Sequence, residues 1–294
     1  MLKVLCRLLF IIIVTNFSFA QDIKKEILFV GHAYGSHEDF DQQLDPVFKN
    51  FIKKNSGIFD QIVLGGDFIY DCNDNTEIQS FKNVFQSYNV RFVIGNHETC
   101  DKIIHFANQN FGGTNYYEKI NESLIFYLNT SIDSFEESDF LYDYLNEIIR
   151  LESPRNILIF AHQLIFSKSD FEIRTNSRKY YKYGNHFFDN VLKKYNNSSK
   201  RLLFFSGDIG AYNFTPYAFY DTNDNFEFYA SGLGNKRHNK GLLIKVSKDI
   251  EVKFIDLNSG VMEPLDKYSK IKVQFYQFPK LFLSRLKKFI FPSY

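Results

Sequence analysis

Ile62-Val63-Leu64-Gly65-Gly66-Asp67 is an apolar run that breaks into two glycines and a carboxylate. A buried strand ending this way presents its carboxylate at a strand tip, where open α/β sheets bind ligands, although Gly-Asp after a strand is also an ordinary turn. The pattern recurs along the chain. Ile27 to Val30 runs into Gly31-His32, Arg91 to Ile94 into Gly95-Asn96-His97-Glu98, Ile157 to Ala161 into His162, and Leu202 to Ser206 into Gly207-Asp208. Five apolar runs thus end in a residue able to bind a metal.

Working outward, strands are expected at Glu26 to Gly31, Phe59 to Asp67 and Arg91 to Asn96, with helices over Phe40 to Lys54 and Thr76 to Tyr88 between them. Strand-helix-strand repeats of this spacing predict parallel pairing through right-handed crossovers. Leu124 to Asn129 and Asn156 to Ala161 read as further strands flanking a helix at Glu137 to Leu151. The polar region Phe166 to Ser199 reads as a long loop, part of it over the site, with a helix from His186 to Tyr195. Leu202 to Ser206, Glu227 to Ala230, Gly241 to Val246 and Glu251 to Asp256 complete the strands, with Lys248-Asp249 in a hairpin position. The fold expected is α/β: two facing mixed β-sheets flanked by helices.

The 294 residues suit one large domain, here residues 21–266. Residues 1–20 carry Lys3 and Arg7, an apolar stretch from Leu8 to Val14, and Ser18-Phe19-Ala20 as a small-residue cleavage site, the pattern of a secretory signal peptide. The same stretch also suits an uncleaved anchor, though it is short of the roughly 20 residues of a span. Export makes the protein periplasmic or extracellular. Loss of Lys3 and Arg7 takes the formal charge from +1 to −1, and the seven cations of residues 267–294 leave −8 on the body. A basic tail on an acidic body argues against a nucleic-acid partner. Within that tail, Leu281, Phe282, Leu286, Phe289 and Ile290 interleave with Lys280, Arg285, Lys287 and Lys288. This suits peripheral contact with an anionic membrane, and equally a helix docked on the body or on a partner subunit.

Cys72 and Cys100 each follow the tip of a candidate strand. If those strands are neighbours, the loops meet and an oxidising compartment allows a disulfide; otherwise both remain thiols.

The order and spacing of the strand-tip motifs over roughly residues 26 to 258 resemble the calcineurin-like metallophosphoesterases. Gly66-Asp67 matches the second motif, Gly95-Asn96-His97-Glu98 the third in full, and His162 the lone histidine. Two motifs depart. The family's opening Asp-x-His corresponds to His32-Ala33-Tyr34, and its closing Gly-His-x-His to Gly207-Asp208-Ile209-Gly210. The resemblance implies an αββα sandwich and one divalent transition metal, Mn, Zn or Fe, held by Asp67, Asn96, His162 and Asp208. A second site would draw on His32, Asp67 and Tyr34, with no side chain at Gly210 and His37 as a substitute ligand. It further implies hydrolysis of a phosphomonoester or phosphodiester by metal-activated water, with Asp67 as a shared ligand and His97 as general acid. The substrate would be a phosphorylated small molecule, lipid or glycan, with Tyr34, Arg237 and His238 at the pocket; Arg237 and His238 also fit a solvated basic turn. The alternative is a weakened or inactive relative that binds a phosphorylated partner. Asp71 and Asp74 read as solvated loop carboxylates, and His105 and His186 as structural.

Overall fold

The structure is a computed structural model, described for residues 23–35, 44–131, 135–165, 173, 175–177, 181–195, 198–212, 215–223, 226–234 and 239–267, with a few single positions beyond. The strands are β1 (Lys25–Val30), β2 (Gln61–Leu64), β3 (Val90–Phe92), β4 (Tyr116–Ile120), β5 (Ser123–Leu128), β6 (Asn156–Ala161), β7 (Arg201–Ser206), β8 (Ala218–Asn223), β9 (Phe226–Ser231), β10 (Lys240–Val246), β11 (Ile250–Asp256) and β12 (Met262–Glu263). The helices are α1 (Pro46–Lys54), α2 (Asn75–Ser87), α3 (Asp101–Phe111), α4 (Phe135–Glu152) and α5 (Gly184–Asn190).

They form two mixed six-stranded sheets, ordered β12-β11-β10-β1-β2-β3 and β4-β5-β6-β7-β9-β8. Within them β1, β2 and β3 are parallel neighbours, as are β5, β6, β7 and β9. Alternation along each strand divides the core. Phe29, Phe160, Phe205 and Tyr229 point between the sheets and pack ring against ring, with Phe160 and Phe205 stacked at 4.7 Å. Leu28, Val30, Ile62 and Leu64 face a cluster with Phe48, Phe81 and Ile103 of α1, α2 and α3. Leu124, Ile157 and Leu202 face Leu145 of α4 and Phe187 of α5. Strands buried on both faces read as unbroken apolar runs, which is why these were legible.

Several boundaries differ from expectation. The first helix begins at Pro46, because Asp45 accepts the N–H groups of Val47 and Phe48 and proline sits at its first position. The third strand ends at Phe92; Val93 to Gly95 follow it, and Asn96 and His97 form a turn. The segment ending at Tyr195 is α5 followed by a 3₁₀ turn over Leu192–Tyr195. Four elements were not anticipated: α3, β4, β8 and β12. Asp74 is more than a solvated carboxylate, since it caps α2 through Thr76 N–H.

A parallel bridge between Gly31 and Gly232 joins the end of β1 in one sheet to the end of β9 in the other. The seam is too close for side chains. A Cβ on Gly31 would lie 2.2 Å from Gly207 Cα, and one on Gly207 would lie 2.0 Å from the Gly65 carbonyl oxygen. Glycines before the tip residues therefore let the two sheets converge where the ligand candidates emerge.

Candidate metal centre

Asp67, His162 and Asp208 leave β2, β6 and β7 at this seam, all buried, and offer ligand atoms within 4.8 Å of one another. His162 Nε2 lies 3.3 Å from Asp67 Oδ2 and 3.8 Å from Asp208 Oδ1. Its Nδ1 is 2.9 Å from the Gly65 carbonyl oxygen, so Nδ1 carries a proton and donates it there. That contact leaves Nε2 aimed at the two carboxylates, where it makes no standard hydrogen bond. Gly66 lies over the same ring, and a Cβ there would meet His162 Nδ1 at 2.5 Å.

Each member is held by neighbours that the sequence does not advertise. Asp67 adopts φ 51°, a left-handed conformation that is strained for a residue with a side chain. Glu98 secures it. One of its oxygens accepts the N–H groups of Asp67 and Gly95, both at 2.9 Å; the other accepts Phe68 at 2.8 Å and Ile69 at 2.9 Å. Asp208 accepts the hydroxyl and the N–H of Ser177. Asn176 N–H donates to the Asp208 carbonyl at 2.9 Å. Part of the long segment between β6 and β7 thus lies on the site.

His97 stands beside the triad rather than in it. Its backbone N–H points at Asp67 Oδ1 at 3.4 Å, and its ring Nδ1 donates to the Tyr70 carbonyl at 2.6 Å. Tyr70 stacks on the imidazole at 5.2 Å and Tyr34 meets it edge-on at 5.4 Å. Glu77 fixes Tyr70 in turn by accepting its N–H at 2.6 Å. Nδ1 is thereby committed to Tyr70, which leaves Nε2 as the ring nitrogen outside that contact. Glu77, Ser177 and the clamping role of Glu98 had no signal in the sequence beyond residue type.

The remaining candidates are placed as follows. His32, also at positive φ (50°), is buried with Nε2 3.9 Å from Asp67 Oδ2 and with Tyr34 packed on it at 4.2 Å. Asn96 occupies the β3 tip between Gly95 and His97, exposed. Cys72 and Cys100 are joined as a disulfide, Cα atoms 6.2 Å apart. It links the tips of β2 and β3, the adjacent strands that carry Asp67 and His97. His105 lies exposed on α3, and His186 sits 3.6 Å from Asp139, packed on Tyr142, away from the triad. His37, Arg237, His238, the signal-like segment and most of the tail lie outside the described residues.

Electrostatics follow from burial. Burial drives the Asp67 carboxyl up, but His162, His32 and His97 outweigh it and hold Asp67 well below the usual carboxylate range. Burial lowers His162, yet Asp67, Asp208 and the Gly65 carbonyl push it up to about 10. Burial pushes Asp208 up to about 6, against His162 and Ser177. His32 is pulled down to about 4 by burial, which Asp67 only partly offsets. Burial and the Asp67 charge push Glu98 up to about 8 against its backbone donors. Carboxylates that favour a proton on His162 Nε2 would equally favour a divalent cation between them. The donor set, two carboxylate oxygens and one imidazole, suits a divalent metal ion.

In fold the chain is similar to a dimetal phosphatase from Danio rerio, with TM-score 0.53 and 11% identity over 78% of this chain and 95% of that one. A predicted phosphoesterase from Streptococcus pneumoniae aligns at TM-score 0.37 and 11% identity, over 82% of this chain and 97% of that one. A protein assigned as a 5′-nucleotidase from Staphylococcus aureus aligns at TM-score 0.49 and 12% identity, over 90% and 58%. No family profile and no curated protein sequence matches the chain. The fold is shared with the dimetal phosphatase: two facing six-stranded mixed sheets with helices outside, as the strand-tip motifs led one to expect.

Proposed function

We propose that this protein is an exported, metal-dependent phosphoesterase acting on a phosphorylated small molecule, lipid or glycan. The observation that carries the proposal is the buried Asp67, His162 and Asp208 group, with the His162 Nε2 nitrogen aimed between two carboxylates. Those three residues would hold the ion, with Asn96, exposed at the β3 tip, proposed as a further ligand. A divalent ion there lowers the pKa of water toward neutrality and offsets phosphate charge.

The chain supplies the rest. Glu98 and Ser177 fix the two carboxylates, and the glycine seam brings them within reach of one centre. His97, its Nδ1 spent on Tyr70, is suited to pass a proton from Nε2 to a leaving oxygen as general acid. Tyr34, Arg237 and His238 are proposed to meet the substrate. Export rests on the signal-like residues 1–20. Among the described residues no helix is long and apolar enough to cross a membrane. Peripheral membrane contact is proposed for the tail, where Phe289 is 85% and Ile290 56% exposed beside Lys287.

The test is hydrolysis of p-nitrophenyl phosphate and bis-p-nitrophenyl phosphate by protein purified without chelator, beside Asp67→Ala and Asp208→Ala. Turnover that chelation stops and both substitutions abolish is expected. Bound metal without turnover on these or any phosphorylated lipid or glycan tried would favour the alternative, a binding protein descended from such an enzyme.

A further inference from the structure

We propose that the centre is mononuclear: one divalent ion between Asp67, His162 and Asp208, with the position of a second ion closed by the fold itself. The inference rests on the phosphoesterase reading only in placing a metal at the seam. Its ground is the way the chain is built around that seam.

The first observation is at Gly210, where the sequence lacks the final ligand of the family pattern. A side chain is excluded there by more than its identity. Gly210 sits at φ 94°, and a Cβ would lie 2.2 Å from the Gly232 carbonyl oxygen and 2.4 Å from its carbon. Backbone occupies the space, and Gly210 N–H donates to Thr215 Oγ1 at 3.0 Å. The β7 tip packs directly against the β9 tip, so it can supply Asp208 but nothing from Gly210.

The second is on the β1 side. Tyr34 is buried and packed on the His32 ring at 4.2 Å, filling the flank of Asp67 with two rings in place of a second carboxylate. Among the described residues, no further group of three or more His, Cys, Asp or Glu side chains converges. On that flank His32 Nε2 faces Asp67 Oδ2 at 3.9 Å.

The third is charge. Asp67 and Asp208 balance one dication. A second would bring two more positive charges into a buried pocket, and an uncompensated buried charge is strongly unfavourable. Glu98, the adjacent buried carboxylate, has both oxygens committed to backbone N–H groups. A chain with the fold of a dimetal phosphatase is thus arranged for a single ion.

The experiment is a titration of the metal-free full-length protein with Mn(II), followed by equilibrium dialysis with elemental analysis and by electron paramagnetic resonance. One ion bound per chain with an isolated, uncoupled Mn(II) spectrum is expected, the second equivalent remaining as the free aqua ion. Two ions per chain with an exchange-coupled spectrum would overturn the proposal and leave the phosphoesterase reading standing. One ion without hydrolysis of any phosphoester would overturn that reading and leave this one. No bound ion in folded protein would remove both.

Discussion

The carboxylate of Glu98 accepts the backbone N–H of Asp67 at 2.9 Å, and through its other oxygen the N–H groups of the next two residues. A side chain from the β3 tip therefore dictates the left-handed backbone that turns Asp67 toward His162. Glutamine at this position keeps one oxygen but turns an amide N–H₂ toward backbone donors. Glu98→Gln should cost about 2–4 kcal/mol, since buried donors lose their acceptor. It should also weaken metal binding by about 10- to 100-fold, as removal of a ligand's supporting partner does. Denaturant unfolding and metal titration of the same variant check both, and unchanged metal affinity would remove the positioning role.

His97 makes a separable prediction, because its ring is anchored through Nδ1 to the Tyr70 carbonyl and is not a member of the metal group. His97→Asn should leave metal content intact while lowering turnover by about 100- to 10,000-fold for esters with a poor leaving group. The loss should be much smaller for p-nitrophenyl phosphate, whose leaving oxygen needs little protonation. An equal loss on phenyl and p-nitrophenyl phosphate would show that His97 is not the general acid.

What could be read in the sequence follows from where each residue's partners lie. Strands β1, β2, β6 and β7 are buried on both faces, so hydrophobicity alone marked them and the tip residues after them. Strand β4, Tyr116-Tyr117-Glu118-Lys119-Ile120, hid itself because it is an edge strand whose alternation is masked by charged residues. Helix α3 buries only Ile103 and Ala107, too narrow a stripe to stand out. Asp67, His162 and Asp208 were visible as chemistry at strand ends. Ser177 and Glu77 were not, for one reason. A serine or glutamate in a polar segment gains its role only when the chain folds it onto a carboxylate 31 residues away or onto the loop after β2, whose Tyr70 carbonyl holds His97.

Glu118 gives a pH prediction remote from the site. Lys25 of β1 and Arg91 of β3 both bind it across the gap between the sheets. Burial acts to raise its carboxyl, but the two cations outweigh burial and hold it below the ordinary 4.5. A carboxyl lowered on folding contributes stability above its unfolded pKa and loses it as pH falls through the folded value. Glu118→Gln should therefore lower stability at neutral pH by ~1 kcal/mol, the scale of a partly exposed ion pair. The gap to the parent should close as pH drops below about 4.5, the value in the unfolded chain. Urea midpoints at pH 7 and at successive steps below about pH 4.5 decide it, and a difference that does not shrink as pH falls would contradict the assignment.

Gly210 separates a missing ligand from a closed position. If the residue were merely substituted, Gly210→His would restore a second ion; if the backbone excludes any side chain there, the same change only strains the seam. Its φ of 94° disfavours a residue with a Cβ, and that Cβ would lie 2.2 Å from a carbonyl oxygen in the neighbouring tip. The tip is buried and bridged to both sheets, so relief requires moving Gly232 away from Ile209 and Gly31. Gly210→His should lower stability by about 3 kcal/mol or more, from backbone strain and overpacking together. Metal stoichiometry in whatever fraction folds should stay at one. Gly210→Ala provides the control, because it meets the same clash without offering a ligand and should be destabilised comparably. A Gly210→His protein as stable as the parent, or one that takes up a second ion, would show that the seam yields and that the single site reflects only the residue present.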